Sequence, residues 1–288
     1  MKKVLVTGGE GFVGFHLCKK LMEMGCEVSS IDINLAKDTT RRIPGVDYVT
    51  DSTENIQKVY AGRTFDMIYH LGEYSRVENS FKNIEQTGIS NVKGTFEVFE
   101  FWRKQRCKIL YAGSSTKFAQ YSSDKETSPY AYTKARNTEM VEMYARWFDL
   151  KFATTYFYNV YGPKENETGD YATLIGIYKY KMRTKQNLAV VKPGTQKRNF
   201  THVNDIVAGL VLVGEKGEGG DYGIGADDAY SVLEIAEMFG GTIEYLPERV
   251  GNRMTAELRS QNTKQLGWTP NELIKNYIEK LKANNFVD

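Results

Sequence analysis

Short apolar runs alternate with stretches of helical period through the first half of the chain. Residues 4–7 read as a strand, and residues 12–24 place their apolar side chains on one face of a helix. Residues 27–32 read as a second strand and 48–49 as a short third. Residues 65–71 make a fourth, followed by a long helix ending near Arg103. Residues 107–112 form a fifth strand. Ser128 and Pro129 then open a helix to about Trp147, and 151–156 form a sixth strand. Such alternation predicts an α/β fold, a doubly wound parallel sheet with helices on both faces. Past Gly162-Pro163 the pattern loosens into a glycine-richer mixture of helices and short strands. The expected division is therefore 1–163 and 164–288, with a soft boundary across which segments can interleave.

Composition narrows the function classes. With 38 basic and 36 acidic side chains the net charge is only +2, so no global field points to nucleic acid or a membrane surface. An anionic ligand must then be held by a few placed arginines and backbone amides. The basic stretch Lys179, Lys181, Arg183, Lys185 reads as the solvated face of a helix. The apolar run at the N-terminus is too short for a signal peptide, and no later run is long enough to span a bilayer. Cys18, Cys26 and Cys107 are an odd count without metal-type spacing, which suggests a reducing, cytoplasmic setting. His16, His70 and His202 show no metal-ligand spacing either, so no metal is expected.

Two constellations carry chemistry. Gly8-Gly9-Glu10-Gly11-Phe12-Val13-Gly14 follows the first strand and opens the first helix. Glycines let the backbone turn tightly and approach a pyrophosphate, while the helix N-terminus offers free amides and a favourable dipole. Asp32 ends the second strand, where a carboxylate can accept hydrogen bonds from the adenosine ribose hydroxyls. A carboxylate there would repel a 2′-phosphate, which favours NAD over NADP; Arg41 and Arg42, farther along, are either loop charges or a slight counterweight to that choice. The second constellation is Ser128-Pro129-Tyr130-Ala131-Tyr132-Thr133-Lys134. Serine suits an N-cap and proline the first helical position, so Tyr130 and Lys134, four apart, share one helix face. A phenol is a poor base at neutral pH. An adjacent ammonium and an oxidised nicotinamide would stabilise its phenolate. Ser114, at the end of the fifth strand, would face the same cleft, because ligands of a doubly wound sheet bind beyond the carboxyl ends of its strands.

These residues resemble the extended short-chain dehydrogenase/reductase family, the nucleotide-sugar epimerases and dehydratases, over nearly the whole chain. The resemblance runs from Thr7–Gly14 through His70-Leu71-Gly72-Glu73, Asn91-Val92-Lys93-Gly94-Thr95, the Ser114 turn, and Tyr130 with Lys134. It continues in the segment around Asn159, in Arg198-Asn199-Phe200, and in Arg249-Val250-Gly251-Asn252. It implies a Rossmann-type NAD-binding part and a smaller C-terminal part that binds the nucleotide sugar. The implied catalytic residues are Ser114, Tyr130 and Lys134. Gly8, Gly11, Phe12, Val13, Gly14, Asp32, Asp51 and Leu71 would hold NAD with Tyr130 and Lys134. Glu73, Ser114, Asn159, Arg198 and Arg249 would meet the substrate, the two arginines clamping its diphosphate. A homodimer is also implied, built on helices near 85–103 and 130–147, with Phe96, Phe99, Met140, Met143 and Tyr144 in the contact. Four features depart from the family pattern: Phe118-Ala119 replaces Tyr-Gly, Glu73 replaces a small residue near the nicotinamide, and both the segment between Ala119 and Tyr130 and the whole chain are shorter than usual. The expected reaction is C4 epimerisation through a 4-keto sugar. A 4,6-dehydratase, a net C4 dehydrogenase or reductase, and a non-catalytic NAD-binding sensor or scaffold are the alternatives.

Overall fold

A computed structural model describes residues 1–34, 40–114, 128–247 and 258–288. Its first part runs β1 (Lys3–Thr7), α1 (Phe12–Glu23), β2 (Glu27–Asp32), β3 (Asp47–Thr50), α2 (Ile56–Val59), β4 (Met67–His70), α3 (Ile84–Thr87), α4 (Thr95–Gln105), β5 (Lys108–Ala112), α5 (Pro129–Phe148) and β6 (Phe152–Phe157). The elements read from apolar periodicity are present, with ends displaced by a residue or two. The long helix after β4 is the exception. It is broken into α3 and α4 by a π-helical stretch, Gly88–Gly94. Such wide turns push one residue out of helical register, and they recur at functional sites.

The second part holds β7 (Val160–Tyr161), α6 (Leu174–Arg183), β8 (Leu188–Val191), β9 (Lys197–Asn199), β10 (Thr201–His202), α7 (Val203–Lys216), β11 (Gly219–Ile224), β12 (Ala229–Ser231), α8 (Val232–Phe239), β13 (Ile243–Leu246), α9 (Gln261–Gln265) and α10 (Ile274–Ala283). Not all of it stands apart. Strand β11 pairs in parallel with β6 and completes a seven-stranded sheet of order β11-β6-β5-β4-β1-β2-β3. All pairs in that sheet are parallel, so the carboxyl ends of its strands form one edge.

Helices cover both faces of the sheet. Leu17 and Leu21 of α1 and Leu210 and Val213 of α7 pack on one face with Val4, Val6 and Leu110. Phe99 and Trp102 of α4 and Val141 and Tyr144 of α5 pack on the other with Leu5, Ile68 and Ile109. A third core joins α6, α8 and α10 through Tyr178, Phe239 and Ile278. Two expectations are corrected here. Phe99 and Tyr144 cover the sheet and are buried, so they are not available to a partner subunit. Lys179 is not on a solvated helix face. It is fully buried and faces Glu165, Glu167 and Asp288. Among the described residues, no helix is long and apolar enough to cross a membrane.

Candidate active site

A cavity of about 580 Å³ opens along the carboxyl edge of the sheet. At one end it is built from backbone. The amide of Gly8 donates to the carbonyl of Ile31 at 2.9 Å, turning the chain from β1 into α1 with Gly8 at φ +76°. A side chain at Gly14 would place its Cβ 2.0 Å from the Gly8 carbonyl oxygen, so only glycine lets the helix start this close to the strand. Gly11 caps α1 without a side-chain hydrogen bond, leaving the first amides of the helix to a ligand. The Asp32 carboxylate is oriented by two amides, those of Glu10 at 3.0 Å and Asn34 at 2.9 Å. Glu10 in turn holds Arg42 at 2.7 Å, and Arg41 donates to the Lys164 carbonyl and to Asn166 at 2.6 and 2.7 Å.

This cradle fits a dinucleotide. Bare amides and a helix dipole can take the pyrophosphate, and a fixed carboxylate can accept ribose hydroxyls. Gly8, Gly11, Phe12, Val13, Gly14, Asp32, Asp51, Leu71, Tyr130 and Lys134 all line the one cavity.

At the other end the cavity is built from side chains. Ser128 caps α5, its hydroxyl accepting from the Ala131 amide at 3.1 Å, and Pro129 takes the first turn. Tyr130 and Lys134 thereby face the cavity together. Lys134 is buried, and its ammonium donates to Glu73 and to the Ala112 carbonyl, so two of its three N–H bonds are taken. Glu73 also accepts from Asn137 at 2.7 Å, Thr95 at 3.0 Å and Tyr111 at 3.2 Å. Burial is the largest single influence on this carboxyl and would raise its pKa. Lys134, the His70 ring and the hydrogen bonds outweigh it and hold the group below the usual carboxylate range. Behind it His70, brought down to about 4 by burial, bridges Thr7 and Thr95 at 2.7 and 3.0 Å.

The remaining sequence candidates are spread more widely. Ser114 is buried just beyond Gly113, which lines the cavity. Asn159 stands at φ +22° and donates to the Asn199 carbonyl at 3.1 Å, beside Arg198 on β9. Neither Asn159 nor Arg198 lines the cavity. Arg249 and the Phe118-Ala119 pair lie outside the described residues. Sequence reasoning missed Thr95, Tyr111 and Asn137 as partners of Glu73, and it missed Arg76 and Tyr171 on the cavity wall. Asn137 was within reach of the pattern, since it falls one turn beyond Thr133 on the buried face of α5.

Known proteins are similar to this chain in sequence and in fold. The model of the NAD dependent epimerase/dehydratase family matches residues 4–225. The chain belongs to that family. It is an NAD-dependent enzyme with a Rossmann-type fold. A putative UDP-glucose 4-epimerase of Methanocaldococcus jannaschii is 28% identical, covering 98% of this chain and 99% of the relative. The dTDP-D-glucose 4,6-dehydratase of Homo sapiens is 25% identical, over 98% of this chain and 91% of its own length. Among solved structures, the UDP-glucose 4-epimerase of Thermotoga maritima with UDP-glucose superposes with a TM-score of 0.90 at 23% identity, over 99% of this chain and 98% of its own. The UDP-glucose 4-epimerase of Thermus thermophilus in complex with NAD does so with 0.85 at 22% identity, over 99% and 98%.

Proposed function

We propose that this enzyme interconverts a nucleoside-diphosphate sugar with its C4 epimer. The observation that carries the reading is that Tyr130 and Lys134 line the same cavity as the glycine turn and Asp32. NAD held in the cradle would supply a reversible hydride acceptor for the sugar C4, so the reaction would involve no net oxidation. Tyr130 takes the proton of the C4 hydroxyl and later restores it, and Ser114 steadies that oxygen. Lys134 has one N–H left to orient the cofactor ribose beside Tyr130. In the C-terminal part, Asn159, Arg198 and Arg249 take the diphosphate, for which a guanidinium fork is suited.

A 4,6-dehydratase needs carboxyl acid–base groups for C5 and C6, and the residues after Ser114 are Ser115 and Thr116. Glu73 is a poor substitute, since its two oxygens already accept from four side chains. The test is to incubate the protein with UDP-, GDP-, dTDP- and CDP-sugars without added reductant and follow products by NMR. A C4 epimer is expected from one of them. Loss of water to a 6-deoxy-4-keto sugar would overturn the assignment.

The enzyme works as a homodimer on this reading, through the helices α3–α4 and α5. With Phe99 and Tyr144 buried, the contact falls to exposed Ile84, Phe96 and Trp147. A monomer by light scattering at micromolar concentration would refute it. Three free cysteines suit a reducing, cytoplasmic location.

A further inference from the structure

Between β4 and α3 the chain is pinned to the catalytic helix at two places. Asn91, in the π-helical stretch, clamps the Tyr74 backbone: its Oδ1 accepts from the Tyr74 amide at 2.6 Å and its Nδ2 donates to the Tyr74 carbonyl at 3.0 Å. The same Nδ2 reaches Thr133 of α5 at 3.1 Å. Farther on, Ser80 Oγ accepts from the Tyr130 amide at 3.2 Å. Arg76 lies between these pins, on the cavity wall with Tyr130 and close enough for the two side chains to interact electrostatically.

Arg76, half-buried on the cavity wall, differs from the two buried lysines. Lys134 has Glu73, and Lys179 has Glu165 and Asp288. Among the described residues no carboxylate pairs with Arg76. Its guanidinium donates to the Tyr171 carbonyl and lies 5.8 Å over the Tyr171 ring, while its Nε is buried without an acceptor. A half-buried guanidinium with a buried, unsatisfied N–H and no carboxylate beside it is costly. A cavity that keeps one is short of an anion, and a carboxylate matches the guanidinium fork in two hydrogen bonds.

We propose that Arg76 receives a negatively charged group on the sugar itself, such as the carboxylate of a uronic-type ring. The inference rests on the nucleotide-sugar reading above. It places the charge on the ring, because Arg76 shares the cavity wall with Tyr130, where on that reading the ring reacts. The candidates for the diphosphate, Asn159 and Arg198, lie away from the cavity lining.

The test is calorimetric titration of the NAD-loaded protein with UDP-glucose against UDP-glucuronate, and GDP-mannose against GDP-mannuronate. The charged member of one pair should bind about tenfold or more tightly than the neutral one, the range for a hydrogen-bonded charge pair. Arg76→Gln should abolish that advantage, and Arg76→Lys, which keeps the charge, should retain part of it. Equal or tighter binding of the neutral sugar in both pairs, or an advantage that survives Arg76→Gln, overturns the proposal while leaving the nucleotide-sugar reading intact. Free UDP or GDP losing affinity by the same factor in Arg76→Gln overturns it too, assigning Arg76 to the diphosphate. Failure of every nucleotide sugar to bind removes the reading and the inference together.

Discussion

Among the described residues two glutamate–lysine pairs are buried, and they behave in opposite ways. Glu73 and Lys134 meet directly beneath the cavity, and three further donors converge on the carboxylate. The group stays ionised, below its usual range. Glu165 and Lys179 sit in the C-terminal part at 3.6 Å, with only Thr173 at 2.5 Å and a long contact from the Gly162 amide at 3.5 Å in support. Lys179 is shared there with Asp288 at 2.5 Å and with Glu167. Burial therefore prevails over Lys179 and pushes the Glu165 carboxyl up to about 7. The same two residue types make a fixed charge in one place and a protonatable one in the other. The number of donors aimed at the carboxylate decides which.

The largest effect should come from Lys134→Met. It strands an ionised carboxylate in the interior, for which a loss of about 3–5 kcal/mol is expected in denaturant unfolding. Lys179→Met should cost clearly less, because Glu165 can take a proton near neutrality. Equal losses would break the contrast. Next is Tyr130→Phe, expected to slow turnover roughly a hundredfold while NAD binding persists. Lys179→Met, remote from the cavity lining, should leave turnover near that of the parent enzyme. Near-normal turnover in Tyr130→Phe would remove the phenol from the mechanism.

The pH dependence of stability sharpens the same comparison. Glu73 has a depressed pKa in the folded state, so its contribution is present above the unfolded carboxylate value and is lost as the pH falls through the folded one. Glu165 has a raised pKa, so its contribution is complete below the unfolded value of about 4.3 and is lost as the pH rises toward about 7. Melting temperatures of Glu73→Gln and Glu165→Gln, measured against the parent from pH 4 to 8, should therefore diverge in opposite directions. Parallel curves would refute the assignment. The smallest effect is Ser128→Ala, which removes the α5 cap and should cost about 1 kcal/mol by thermal unfolding.

Legibility in the sequence followed how local each feature is. The glycine turn and Asp32 fall within one β1–α1–β2 unit, and all ten residues expected to hold the cofactor line the cavity. The caps of α5 are equally local, so its start was readable to the residue. Glu73 was visible only as an unusual residue beside the nicotinamide. Its partners come from α4, β5 and α5, up to 64 residues away, and no periodicity connects them. Lys179 misled for a related reason: three basic neighbours at helical spacing look solvated until Asp288 is folded back against them.

The sequence by itself determined the alternation of strand and helix, the dinucleotide turn, and the placement of Tyr130 and Lys134 on one helix face. Each is fixed by residues within a few positions of one another, where backbone geometry leaves few choices. Only the tertiary structure decided that β11 returns to finish the main sheet, that Glu73 neutralises Lys134, and that Arg76 shares the cavity wall with Tyr130 and meets no carboxylate among the described residues. Those outcomes depend on which distant side chains share a desolvated space. There a charge is governed by the donors and acceptors packed around it more than by its neighbours in the chain.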